Sequence, residues 1–205
     1  LGLPARGLER AREVQDQVAG PWRSLNSLVQ AYCLTKMGKF DQAQENLLPF
    51  NETYPALLEN FAYIVYASTT YLNIALLRDS PNDVLPLIAS HLEKYEQYGL
   101  TTLLAEAYYL YARVLRELGR TDEASASLSK ARKVATGINH RRVLWQILVK
   151  AAEIEQERGR PEAAEKLRKK AERLVTYIRD HAPEDLRESF VNQPEVQRVL
   201  HPPVS

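Results

Sequence analysis

Cysteine occurs once in this chain of 205 residues, at Cys33. No internal disulfide can form, and the usage fits a reducing, cytoplasmic compartment. Histidine is almost as scarce. His91, His140, His181 and His201 show no metal-ligand spacing and have no cysteine nearby, which argues against a metal site. They read as solvated or helix-end side chains, and His181 suits the negative end of a helix dipole. The eight glycines never assemble into G-x-x-x-x-G-K-[ST] or G-x-G-x-x-G, so a nucleotide site of either kind is excluded. No apolar run approaches the roughly 20 residues that a membrane span needs, and no signal segment opens the chain. Cys33 stands between Tyr32 and Leu34 in a helical pattern and reads as a buried structural thiol rather than a nucleophile. The acidic pair Glu153/Glu157 reads as a solvated helix face rather than a general acid and base. The chain is expected to hold no cofactor and no metal and to catalyse nothing.

What the sequence does contain is a repeat. Leu118-Gly119-Arg120-Thr121-Asp122-Glu123-Ala124 returns as Arg158-Gly159-Arg160-Pro161-Glu162-Ala163-Ala164 and as Met37-Gly38-Lys39-Phe40-Asp41-Gln42-Ala43. Gly119 and Gly159 are 40 residues apart, and Gly38 and Gly119 are 81 apart. A further copy is expected near residue 79, where Arg78-Asp79-Ser80-Pro81-Asn82-Asp83-Val84 keeps the turn chemistry without the glycine. Each copy ends one amphipathic helix and starts another. Superposition at 40 residues aligns Leu34, Ile74, Val114 and Ile154. Around the turn it aligns Ala31, Leu72, Ala112 and Ala152, then Ala43, Val84, Ala124 and Ala164. A fourth column holds Ala131 and Ala171, with Phe50 and His91 in the earlier copies. Small residues let the helices of a pair approach, and the aliphatic column fills the seam between pairs. One pair cannot cover its apolar face alone, so it must stack on the next.

The expected fold is all-α: a right-handed α-solenoid of stacked antiparallel helix pairs, about four repeats of 40 residues, in one domain over 1–205. Residues 5–19 form an N-terminal half repeat, because Ala11-Arg12-Glu13-Val14 matches Ala131-Arg132-Lys133-Val134 three periods later. Repeats follow over 22–54, 55–98, 101–137 and 139–181. Gly38 is expected to be a left-handed cap, Pro49 a kink or early end, Gly137 the stop of the third repeat, and Ser80-Pro81 a helix start. Residues 183–200 form a C-terminal cap of two short helical stretches split at Pro194, and 201–205 form a tail. No strand signal survives. The chain opens inside a repeat and at Leu1, so it is expected to be a piece of a longer protein.

The sequence Ala112, Gly119, Ala124, Ala131 resembles the tetratricopeptide repeat, in which a glycine ends the first helix and alanines occupy the packing positions. The usual period there is about 34 residues. The longer period here is similar to the MalT-like repeat region of bacterial multidomain signalling ATPases and transcription regulators. The stretch Asp185 to Val196 resembles the closing segment of such regions, where a phenylalanine and a downstream aliphatic residue close the last repeat. The resemblance implies a non-catalytic protein-interaction or effector-sensing module. Its partner would be a protein or peptide, an upstream domain of the same chain, or a small effector. Leu28 and Tyr32 stand where a chaperone-type carboxylate clamp needs Lys and Asn, so that sub-function is not expected.

In such solenoids the leading helices line a concave groove. Helical phase puts Tyr66, Thr69, Thr70 and Asn73 there in the second repeat. Glu106, Tyr109, Leu110 and Arg113 follow in the third, and Gln146, Val149, Lys150 and Glu153 in the fourth. Tyr and Arg carry much of the energy of interfaces. Tyr66 and Tyr109 are the surface candidates, whereas Tyr63, Tyr71, Tyr108 and Tyr111 read as packing between repeats. A competing surface comes from charge. Residues 120–179 hold 15 basic and 8 acidic side chains, within a chain of net charge +1. The basic block comprises Lys130, Arg132, Lys133, Arg141, Arg142, Lys166, Arg168, Lys169, Lys170 and Arg173. It sits mainly on second helices, on the convex side. It reads as a solvated face, as a surface for an acidic protein, or as a nucleic-acid-binding helical-repeat surface.

Overall fold

Three columns of the 40-residue superposition lie buried in the folded chain. Leu34, Ile74, Val114 and Ile154 are at most 2% exposed, and so are Ala31, Leu72, Ala112 and Ala152 wherever exposure is described. Ala43, Val84, Ala124 and Ala164 are at most 3% exposed. The computed structural model describes residues 4–47 and 61–202, and its regular structure there is helical throughout. The helices are α1 (Pro4–Glu13), α2 (Pro21–Lys36), α3 (described over 40–47), α4 (Phe61–Arg78), α5 (Pro81–Gln97) and α6 (Thr101–Glu117). They continue with α7 (Thr121–Gly137), α8 (Arg141–Glu157), α9 (Pro161–His181), α10 (Glu184–Val191) and α11 (Pro194–Leu200). Pro49, the start of the 55–98 repeat, the side chain of Tyr63 and the end of the tail lie outside the described residues. No described helix is long and apolar enough to cross a membrane.

The period has a local cause. Helices α5 to α8 are each 17 residues long, and three-residue links join α5 through α9. Each link has a left-handed residue in the middle: Gly99, Gly119, Asn139 and Gly159, with φ of 64°, 74°, 55° and 70°. The residue after each closes the helix behind it, as Arg120 N–H donates to Leu115 O at 2.8 Å and His140 N–H to Ala135 O at 2.8 Å. Its own carbonyl then opens the next helix, accepting from Ala124 N–H after Arg120 and from Leu144 N–H after His140. This is the Schellman arrangement, with one residue serving both helices. Gly38 (φ 74°) and Lys39 repeat it after α2.

One expectation about these turns changes, at Gly137, and one holds, at Ser80-Pro81, where α5 starts. Gly137 is the last residue of α7 and has no positive φ; Asn139 takes the left-handed place, which Asn tolerates through its short polar side chain. Near residue 79 there is no left-handed residue among the described ones. Instead Ser80 Oγ contacts Asp83 Oδ2 at 2.6 Å and accepts weakly from Asp83 N–H, so this turn is built from the N-terminal side.

The chain forms two compact units whose boundary falls within α5, between His91 and Leu92. In the first, α1 packs on α2 and α2 on α4, around Leu8, Leu28, Ala31, Cys33, Leu34, Ala43, Leu47 and Ile74. Gly7 marks the close approach of α1 to α2, because a Cβ there would lie 3.0 Å from Cys33 Sγ. Cys33 is buried, and burial pushes its thiol pKa up. The first helix is shorter than the expected 5–19. It ends at Glu13, and residues 14–17 form turns held by bonds from Gln15 N–H to Arg12 O and from Gln17 N–H to Val14 O. Past Ala11 the helix has little apolar surface left to bury, and Val14 is 38% exposed. Side chains of α2 hold the segment instead: Asn26 donates to Ala11 O and buried Gln30 to Gln15 Oε1, both at 2.9 Å.

In the second unit α6 packs on α7, α7 on α8 and α8 on α9, and α10 and α11 both pack on α9. The short pair closes a core of Trp145, Leu148, Ala171, Val175, Phe190 and Val196. Among these, Phe190 and Val196 come from the cap.

Candidate functional site

Glu106, Tyr109 and Arg113 are spaced i, i+3, i+7 on α6, and Gln146, Lys150 and Glu153 are spaced i, i+4, i+7 on α8. Each set therefore lies on one helix face. The two helices are in contact, and charged side chains cross-link them. Arg142 Nη2 lies 3.0 Å from Glu106 Oε2, and Arg116 pairs with both Glu153 and Glu157. Lys150 Nζ adds a bond to Glu153 at 2.9 Å within α8. Gln146 Nε2 donates back to Arg142 O at 3.1 Å. Val149 packs against the Trp145 core.

Tyr109 is the exception in this network. Its ring was expected at the surface, yet the residue is 8% exposed, because α6 is covered by its neighbours along most of its length. Leu110, expected to line the groove, is 1% exposed and belongs to the packing. The Arg113 guanidinium carbon stands 5.9 Å from the centre of the Tyr109 ring. Burial raises the Tyr109 phenol pKa; Arg113 pulls it back down, and Glu153, Glu195 and Glu106 add to the rise. Neither the Tyr109 hydroxyl nor the Arg113 guanidinium has a hydrogen-bond or carboxylate partner among the described residues. Neighbouring Arg116, Arg142 and Lys150 all do.

The second-repeat candidates lie in the other unit. Thr69 is half-buried with an unbonded Oγ1, Asn73 Nδ2 donates to Thr69 O at 2.9 Å, and Thr70 is half-buried. The side chain of Tyr66 lies outside the described residues. Tyr108 packs as expected, at 9% exposure. Burial and the Glu96 carboxylate that accepts its hydroxyl proton push its pKa up to about 12. Tyr71 is half-buried against the first core, and Tyr111 is half-buried.

Helical phase alone missed Arg116 and Glu157 on the α6–α8 face and the Glu195 charge that acts on Tyr109, and it assigned Arg142 to the basic block. A signal was present for three of them. Opposite charges stand about one period apart at Glu106/Arg142, Arg116/Glu153 and Arg116/Glu157, the spacing that joins one leading helix to the next. Arg158 follows the same rule on the other side of the pair, reaching Asp122 and Ser125 of α7. Glu195 comes from the cap and carries no such signature.

The basic block divides. Arg142 pairs with Glu106, and Arg141 stacks over Tyr177 with its guanidinium carbon 4.4 Å from the ring centre. Both open α8, a leading helix. Lys130, Arg132 and Lys133 are exposed on α7, and Lys166, Arg168, Lys169, Lys170 and Arg173 are exposed on α9.

The histidines differ from expectation at His91, which is 2% exposed and has its Nδ1 at 2.8 Å from Leu87 O. It stands in the column that Ala131 and Ala171 fill in later repeats, so the repeat pattern itself puts it inside. His181 is exposed at the end of α9, on Tyr177 O at 2.8 Å and stacked on the Tyr177 ring. Among the described residues no group of three or more His, Cys, Asp or Glu side chains could hold a metal ion.

Residues 105–135 match the tetratricopeptide repeat family, over a stretch that runs from α6 through the Gly119 turn into α7. The match supports a tetratricopeptide-repeat protein. Comparison with curated proteins and with solved structures gives no match.

Proposed function

We propose that the chain is a non-catalytic interaction module that binds a protein or peptide segment on the α6–α8 face. Tetratricopeptide repeats generally mediate protein–protein interaction, which supports the class. The observation that carries the site is the pair Tyr109 and Arg113. Around it Arg116, Arg142 and Lys150 pair with Glu153, Glu157 and Glu106, whereas among the described residues Arg113 has no carboxylate and the Tyr109 hydroxyl no bonded group. A ligand carboxylate placed over Arg113, within reach of the Tyr109 hydroxyl, would supply both partners and form a charge-assisted bond. Glu106, Gln146, Lys150 and Glu153 surround that point; Thr69 and Asn73 are on α4, in the other unit.

The 40-residue period and the closing segment support a finer reading. In it the module is the regulatory repeat region of a cytoplasmic bacterial signalling or transcription-regulatory protein. It would sense an effector, or hold an NTPase, kinase, cyclase or DNA-binding domain of the same gene product inactive. The gene sequence on either side of this chain tests that reading directly.

The binding face is tested with peptides selected by display on the wild-type protein. We expect Arg113→Ala to weaken the selected peptides by about tenfold or more, as loss of a buried charged contact does. Tyr109→Phe should weaken them less, and circular dichroism should be unchanged in both. Selected peptides that bind Arg113→Ala and Tyr109→Phe as tightly as wild type would remove the α6–α8 face from the reading.

A further inference from the structure

Eight cations and one carboxylate, Glu172, occupy residues 130–133 and 166–173. All eight cations are exposed; Lys133 on α7 and Lys166, Lys170 and Arg173 on α9 lie on the sides opposite the buried residues Ala124, Leu128 and Ala131, and Ala164, Ala171 and Val175. The 40-residue period places Lys130 with Lys170 and Lys133 with Arg173, on either side of the buried alanines. The two helices thus present matching stripes. Lys130 stands over the Tyr108 ring at 5.3 Å, and Arg168 and Lys169 reach Glu165 at 4.0 and 3.6 Å. The other five, Arg132, Lys133, Lys166, Lys170 and Arg173, have no ion-pair partner among the described residues. This contrasts with the α6–α8 face, where Arg116, Arg142 and Lys150 are neutralised.

We propose that this α7–α9 face is a second docking surface, and that its partner is an acidic, helical protein segment. Lys166, Lys170 and Arg173 are spaced i, i+4, i+7, a stripe about 10 Å long at 1.5 Å per residue. A helix lying along α9 with carboxylates at the same spacing meets each cation with one acid. Lys130 and Lys133 offer the same chemistry one repeat away. A nucleic acid fits less well. No aromatic residue stands between Thr121 and Gly137 or between Pro161 and Thr176 to stack on bases. Glu165 and Glu172 interrupt the surface, which repels a continuous phosphate backbone but leaves separate cations for separate carboxylates. The surface does not depend on the Tyr109–Arg113 site.

The test is fluorescence anisotropy on the full chain with two labelled alanine-rich helical peptides of equal charge. One has glutamates at i, i+4, i+7; the other has them spread around the helix. The first is expected to bind, and to weaken about tenfold between roughly 50 and 200 mM salt, as contacts between exposed charges do. The second should bind about fivefold weaker or worse, since fewer of its charges can meet cations at once. The triple variant Lys166→Glu, Lys170→Glu, Arg173→Glu should abolish the difference, with Lys166→Ala, Lys170→Ala as a milder form if the triple variant folds poorly. Arg113→Ala should bind as wild type does, which separates this surface from the α6–α8 face. Equal binding of the two peptides, binding unaffected by the Lys166 and Lys170 changes, or no binding at the lower salt would overturn the proposal. So would tighter binding of a short DNA duplex, which would assign the face to nucleic acid.

Discussion

The His140 ring is half-buried at the start of α8, and its Nδ1 bonds to no described residue. Burial lowers its pKa below the usual 6.5; Arg142 lowers it further, and Glu106 opposes both. The folded chain therefore favours the neutral ring. Below about pH 6.5 the unfolded chain binds the extra proton first, so stability falls as pH drops toward the folded value. Against His140→Gln, which is neutral at every pH, the wild type should keep a constant stability difference above about pH 7 and lose ground below about 6.5. Urea denaturation of both proteins on either side of that range measures it; a difference that does not change with pH would show the ring to be freely solvated. At this scale the sequence was partly legible. His91 reads locally as a solvated or helix-end side chain although it shares a column with buried alanines, and nothing in the local pattern says that Tyr109 is covered while Arg113 has no partner among the described residues. That depends on which helices pack on α6; the Glu195 charge, 86 residues downstream, also acts on the Tyr109 phenol.

The helical element is set by its turns more than by side-chain caps, since no side-chain cap bond holds the starts of α6, α7, α8 or α9. Left-handed backbone is what the links require. At Gly119 and Gly159 a Cβ would meet nothing within 4 Å, so the cost of adding one is conformational rather than steric. Gly119→Ala and Gly159→Ala should each destabilise by about 1 kcal/mol. Asn139→Ala should cost a similar amount, while Asn139→Gly stays within about 0.5 kcal/mol of wild type. Chemical denaturation of the four variants reads this out; an unchanged Gly119→Ala protein would mean that the link can relax out of its left-handed form. The spacing of the glycines made most of these turns readable in advance. Asn139 was missed because Gly137, two residues earlier, was the more obvious breaker.

For the larger assembly, each unit has its own core, and in the second the chain closes itself with α10 and α11. Phe190 is 3% exposed against Trp145, Leu148, Ala171 and Val175. Phe190→Ala should cost about 3 kcal/mol, the lower end for a buried phenylalanine. Trp22 is 59% exposed and Trp145 5%, so in a Trp22→Phe background the emission reports Trp145 alone. There Phe190→Ala should shift the emission to longer wavelength as water reaches the indole. An unshifted spectrum with unchanged stability would show that the short pair is not a cap. Ion pairs across α6 and α8 contribute less, about 0 to 1 kcal/mol each where they are exposed.

The sequence by itself determined the helical class, the 40-residue period, the columns of small and aliphatic residues inside, and the glycine-marked turns at Gly38, Gly119 and Gly159. All of these follow from local backbone preference and from which side chains must leave water, and both are written residue by residue. The tertiary structure decided what remains on the surface. Charges one period apart find each other across α6 and α8, leaving Arg113 beside a covered Tyr109. Lys133, Lys166, Lys170 and Arg173 on α7 and α9 have no ion-pair partner among the described residues and stay available. Pairing is a property of distances between helices, and those exist only once the helices have packed.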